Sequence, residues 1–95
     1  MITVDLYNEI KKVFPKLKNF FSVKELDEFL KCSYEELYVY HFGFGTWIRN
    51  TILKDSSLYH AFLACGISQA DDMSTLLIQL FYIYLKENKQ KASSK

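Results

Sequence analysis

An excess of charge of one sign is missing from this chain. Its 12 basic and 11 acidic side chains leave a formal charge of +1, so no global field draws in polyanions as a nucleic-acid-binding domain's does. Nucleic acid is not an expected partner. Long apolar runs are missing too. The longest, Leu76 to Leu85, contains Gln79 and is half the roughly 20 residues a spanning helix needs, so no membrane anchor is expected. Cysteine is scarce: Cys32 and Cys65 lie apart, with no C-x-x-C spacing and no secretory leader before them. They read as two buried thiols of a protein in a reducing cytoplasm. His41 and His60 add no short paired spacing of the kind zinc requires, and no metal or cofactor is expected.

Catalytic signatures are also lacking. Ser56, Ser57 and Ser74 have no G-x-S-x-G context, and neither cysteine has a sequence-evident base. Gly43 and Gly45 stand ahead of Thr46, but no P-loop or dinucleotide-binding pattern surrounds them, and the rings of Phe42 and Phe44 would crowd a phosphate. The balance of these absences points away from an enzyme.

What is abundant is aromatic carbon. Aromatics make up 17% of the 95 residues and hydrophobic residues 49%. At this length burial only just outweighs chain entropy, and large rings compensate because each buries about 150–250 Å². One domain with a ring-rich core is expected over 1–88, followed by a flexible basic tail over 89–95.

The periodicity is helical throughout, with no repeat, linker or strand-like alternation. Leu6, Ile10, Val13, Phe14 and Leu17 recur at helical spacing; Thr3 offers a cap, and Pro15 predicts an end near residue 14. Ser22 with Glu25, and Ser33 with Glu36, form the two halves of capping boxes and predict two further helices. Trp47 to Leu53 reads as a short helix. Asp55, Ser56 and Ser57 offer caps for a segment carrying Leu58, Phe62 and Leu63, which Gly66 ends in the left-handed conformation. Ser68 with Asp71 predicts the cap of a long last helix, with Asp72 beside it at the positive end. The fold class is all-α: a compact single-domain bundle of five or six helices with a long C-terminal helix.

That last helix has two apolar stripes. Met73, Leu76, Leu77, Leu80, Phe81 and Tyr84 form one, and Ile78, Tyr82 and Leu85 form the other, separated by a polar seam of Thr75, Gln79 and Lys86. Either neighbours wrap the helix on both sides, or the second stripe is an exposed partner surface.

The densest cluster of unusual residues is "HFGFGTWIRN", 41 to 50. Gly43 and Gly45 fit a sharp junction between helices or a close backbone approach. Arg49 needs a carboxylate if it is held near the core, and Asp71 or Asp72 is the nearest candidate, with Asn50 and Ser74 available to complete a structural clasp. Alternatively His41, Arg49, Asn50, Asp71 and Asp72 line a polar pocket that binds a small molecule or anion, with acid–base chemistry open to it.

The residues His41, Phe42, Gly43, Gly45, Trp47, Ile48, Arg49 and Asn50, followed by Gly66 and Ile67 and then Asp71, Asp72, Met73 and Ser74, resemble a family of small uncharacterised bacterial domains. Its pattern runs H-F-G-x-G-x-W-I-R-N, then G-I, then D-D-M-S. The likeness covers residues 37 to 85. The chain departs from it after Asn50, where a Gly-Leu-Trp run is missing, and at Ala70, where proline is common. The resemblance implies a helical, cytoplasmic protein of bacterial or phage origin with no assigned activity. Small size, near-neutral charge and surplus apolar surface together lead to an expected non-enzymatic protein-binding module, immunity-like or regulatory, whose partner is another protein or a second copy.

Overall fold

The computed structural model describes residues 4–93, with side chains for 5–88. It is all-α, with no strand among the described residues. Four α-helices, α1 (Val4–Lys18), α2 (Val23–Lys31), α3 (Ser57–Ala64) and α4 (Ala70–Ser93), are joined between α2 and α3 by tighter and wider helical turns. These are a 3₁₀ segment over Tyr34–Tyr40 and two π-type segments over His41–Gly45 and Ile48–Ile52. The Cα radius of gyration is 13.3 Å, that of one packed unit of this length.

Helix α1 forms on the expected stripe, with Leu6, Ile10, Phe14 and Leu17 all buried, but it does not end before Pro15. It continues to Lys18 with the proline inside it. Pro15 lies on the exposed side, where water can take the carbonyl it leaves free, and burial of Leu17 two residues on offsets the lost bond. The proposed Thr3 cap lies outside the described residues, as do the side chains of the basic end at 89–95.

Ser22 caps α2 reciprocally: its hydroxyl accepts from the Glu25 amide at 3.1 Å, and the Glu25 carboxylate accepts from the Ser22 amide at 3.0 Å. At Ser33 the arrangement differs. The Glu36 carboxylate accepts from both the amide, at 2.8 Å, and the hydroxyl, at 3.0 Å. These bonds hold the Glu25 and Glu36 carboxyls below the usual carboxylate range. Helix α3 is capped by Ser56, whose hydroxyl accepts from the Tyr59 amide. It ends at Gly66, φ +85°, where the Gly66 amide returns to Leu63 and the Ile67 amide to Phe62, both at 3.0 Å. That pair of bonds needs the left-handed residue glycine supplies cheaply.

Helix α4 is the axis of the core; it corrects one expectation and decides between the two readings of its second stripe. It begins at Ala70, so Ser68 is not its cap; the Met73 amide bonds to the carbonyl of Gln69 instead. Its second stripe is not a free surface. Ile78, Tyr82 and Leu85 are buried, as are Met73, Leu77 and Phe81 on the first. The Tyr82 ring packs edge-on to Phe29, and its hydroxyl donates to the Cys32 carbonyl at 2.6 Å. A helix apolar nearly all round is one that neighbours enclose.

Candidate functional site

The glycine segment is not a junction between two helices. The chain stays helical from Tyr34 to Ile52 and changes pitch instead, tightening before His41 and widening after it. The wide turn is explicit at Leu53, whose amide reaches five residues back to the Ile48 carbonyl at 3.0 Å. An extra residue per turn rotates successive side chains, and this segment's side chains divide sharply. Phe44, Gly45 and Ile48 are buried, whereas Phe42 and Asn50 are exposed. Phe44 sits in a nest of rings, with centroids at 4.9 Å from Phe20, 4.7 Å from Phe21 and 6.0 Å from Phe81.

The two glycines have different reasons. A Cβ at Gly45 would lie 3.3 Å from Arg49 Nη1, 3.6 Å from the Tyr40 carbonyl and 3.8 Å from Ile78 Cδ1, so this position is small because a guanidinium and α4 occupy the space. Nothing lies within 4 Å of a Cβ at Gly43, and its φ is not positive. Neither close packing nor a left-handed turn explains it.

Arg49 bridges the segment to the start of α4. Its Nη1 donates to Ser74 Oγ at 3.0 Å and lies 3.4 Å from Asp71 Oδ1, while Nη2 donates to Thr46 Oγ1 at 2.9 Å. Ser74, fully buried, passes the link on by donating to the Asp71 carbonyl. The arginine side chain is 20% exposed and the aspartate 71% exposed, so the ion pair is not a buried one. Asp72 is exposed, and no ion pair joins it to a described residue. Asn50 points to solvent and plays no part. Thr46, which does, was legible only as a hydroxyl one turn before the arginine.

His41 is apart from this bridge. It lines a hollow of about 460 Å³ between the Tyr34–His41 stretch and α4, with Tyr38, Thr75, Ile78 and Gln79 among its other walls. Arg49, Asn50, Asp71 and Asp72 do not line it, so this hollow does not bring together the five residues considered for a polar pocket. Beside this hollow the surface is unusually apolar: Phe42 is 83% exposed, Tyr38 75% and Val39 59%, with Tyr34 also exposed. The 3₁₀ and π pitch turns these side chains outward, and a 3.6-residue pattern read along the sequence does not reveal it.

Burial also shifts two other side chains. Burial, with Glu36 nearby, pushes the Cys32 thiol up, and that thiol donates to the Phe29 carbonyl at 3.0 Å. Both cysteines are half-buried. Burial, aided by Cys32, Glu28 and Glu25, likewise raises the Tyr40 phenol. Among the described residues, no three His, Cys, Asp or Glu side chains gather as a metal site would require, and no helix is long and apolar enough to cross a membrane.

Compared with known families, residues 8–85 match the model described as "Domain of unknown function (DUF6794)". The match takes in α2 and most of α1, well beyond the stretch on which the sequence resemblance rested. No curated protein and no solved structure matches the chain.

Proposed function

We propose a function for this chain, which belongs to the DUF6794 family of domains of unknown function, from its own geometry. It is a non-enzymatic protein-binding module of bacterial or phage origin, acting in an immunity-like or regulatory way by covering part of another protein. The observation that carries this reading is the outward row of Tyr38, Val39 and Phe42, beside a hollow walled by α4. Large rings left in water are costly, and Tyr and Phe are the kind of anchors that dominate protein interfaces. The second stripe of α4 is buried, and the exposed apolar face lies instead on the segment before the glycines. The polar groups that converge on Arg49, namely Thr46, Asp71 and Ser74, are spent on its guanidinium and do not line the hollow beside His41, which favours binding over chemistry.

The test is in-cell photo-crosslinking in the native host from a probe placed at Val39. A single protein partner is expected at one-to-one stoichiometry. Phe42→Ser should weaken its binding at least tenfold while leaving the melting temperature close to wild type, because the ring is exposed. Val23→Ser, an equally exposed apolar site on α2, serves as the control and should bind normally. Equal binding by wild type and Phe42→Ser would sink the proposal, and sedimentation as a dimer through this face would replace the partner with a second copy.

A further inference from the structure

From this protein-binding reading, on which the inference rests, we infer that the groove across α4 receives a cationic amphipathic α-helix of the partner protein. The hollow beside His41 is one of two that share Thr75 and Gln79 as floor. The second, of about 370 Å³, is walled by the Gly66–Ser68 turn and Leu76 and reaches Asp72. Together they follow one face of α4, where Asp72, Thr75 and Gln79 recur at helical spacing. Seven residues at about 1.5 Å each make this floor about 10 Å long, two turns of a docked helix. No strand exists among the described residues to be extended by an added one, whereas a trough over α4, bounded by the Tyr34–His41 stretch on one side and the Gly66–Ser68 turn on the other, fits the ridge of a helix.

The charge lining the groove names the partner's chemistry. Its acidic members are Glu35 at the end near Tyr34 and Asp72 at the other; no lysine or arginine lines either hollow. Glu35 and Asp72 are both exposed, and neither forms an ion pair with a described residue. Lys86 is held 5.3 Å over the Tyr82 ring and lines neither hollow. Between the carboxylates the apolar and aromatic side chains of Tyr34, Tyr38, Ile78 and Leu76 alternate with the polar His41, Thr75 and Gln79. A helix with apolar residues at i, i+3 and i+4 and lysine or arginine at its flanks would satisfy both features. Its cations would meet carboxylates that water otherwise serves, and an acidic helix would be repelled.

The experiment uses an 18-residue peptide of leucine and lysine at amphipathic helical spacing, and a second with glutamate in place of every lysine. Each is titrated into the protein by calorimetry, with amide shifts followed by NMR. The leucine–lysine peptide is expected to bind one-to-one, to shift the amides of His41, Thr75 and Gln79, and to bind at least tenfold more tightly than its acidic counterpart. Glu35→Lys with Asp72→Lys should reverse that preference. Glu35→Gln with Asp72→Asn, a gentler pair whose fold is checked by circular dichroism, should weaken the basic peptide by several-fold. Equal binding of the two peptides, no binding, or shifts confined to another face would each overturn the inference. Native-partner binding that depends on Phe42 but ignores both charge-altered pairs would overturn it too, while leaving the protein-binding reading intact; indifference to Phe42→Ser would instead remove that reading.

Discussion

Replacing Gly45 by alanine tests whether Arg49 is a rigid clasp or a loose surface contact. The new Cβ would stand 3.3 Å from Arg49 Nη1, so the guanidinium must yield by a few tenths of an ångström. It is held at 3.0 Å by Ser74 and at 3.4 Å by Asp71, and yielding lengthens both contacts. Two effects of opposite sign then compete. Alanine in place of helical glycine stabilises by about 0.5–1 kcal/mol. Losing a hydrogen bond to a charged group costs about 1.5–3 kcal/mol, and we take the lower end because Asp71 remains hydrated. Gly45→Ala should therefore cost about 1 kcal/mol, a fall in Tm of about 4–8 °C for a domain of this size. In an Arg49→Ala background the nearest atoms to the new methyl are the Tyr40 carbonyl at 3.6 Å and Ile78 Cδ1 at 3.8 Å, ordinary contacts. There the same substitution should stabilise by about 0.5–1 kcal/mol, giving a coupling of about 2 kcal/mol in a double-mutant cycle. Urea denaturation of the four proteins measures it. If Gly45→Ala stabilises equally in both backgrounds, the guanidinium moves freely and the clasp does not exist.

The remaining predictions concern single contacts. Arg49→Ala alone should cost about 1–2 kcal/mol rather than the about 3–5 kcal/mol of a broken buried pair, since its aspartate stays solvated; a cost within about 0.5 kcal/mol would mark a surface arginine. Gly43→Ala should stabilise by about 0.5–1 kcal/mol, whereas Gly66→Ala, at φ +85°, should cost at least about 1 kcal/mol; denaturation midpoints that moved together would contradict the distinction. Tyr82→Phe should cost about 1–2 kcal/mol because the Cys32 carbonyl loses its 2.6 Å donor in a half-buried setting. The cap-serine bonds lower the Glu25 and Glu36 carboxyls in the folded chain, so their stabilisation is complete above the ordinary glutamate value of about 4.3. It is lost as pH falls through the lower folded values. Thermal melts of Glu25→Gln with Glu36→Gln should therefore show a flatter acid limb than wild type.

Local chemistry was sufficient to place most elements. Helical spacing, the Ser22 cap, the Ser56 cap and the left-handed Gly66 act between residues a few positions apart, so the sequence alone determined an all-α chain and most of its helix starts. Arg49 with Asp71 and Ser74 was also legible, as a cation and its partners in a chain with few other reasons to hold a guanidinium near the core. Tertiary structure decided what depends on competition between distant surfaces. Burial of Leu17 carried α1 through Pro15, and neighbours enclosed Ile78, Tyr82 and Leu85. The pitch of the stretch from Tyr34 to Ile52 set which rings faced water. Pitch changes of this kind have no local code: the wide turns satisfy the ring nest around Phe44 and the space under Arg49, and those constraints come from helices far away in sequence. The outward face at Tyr38, Val39 and Phe42 therefore follows from packing.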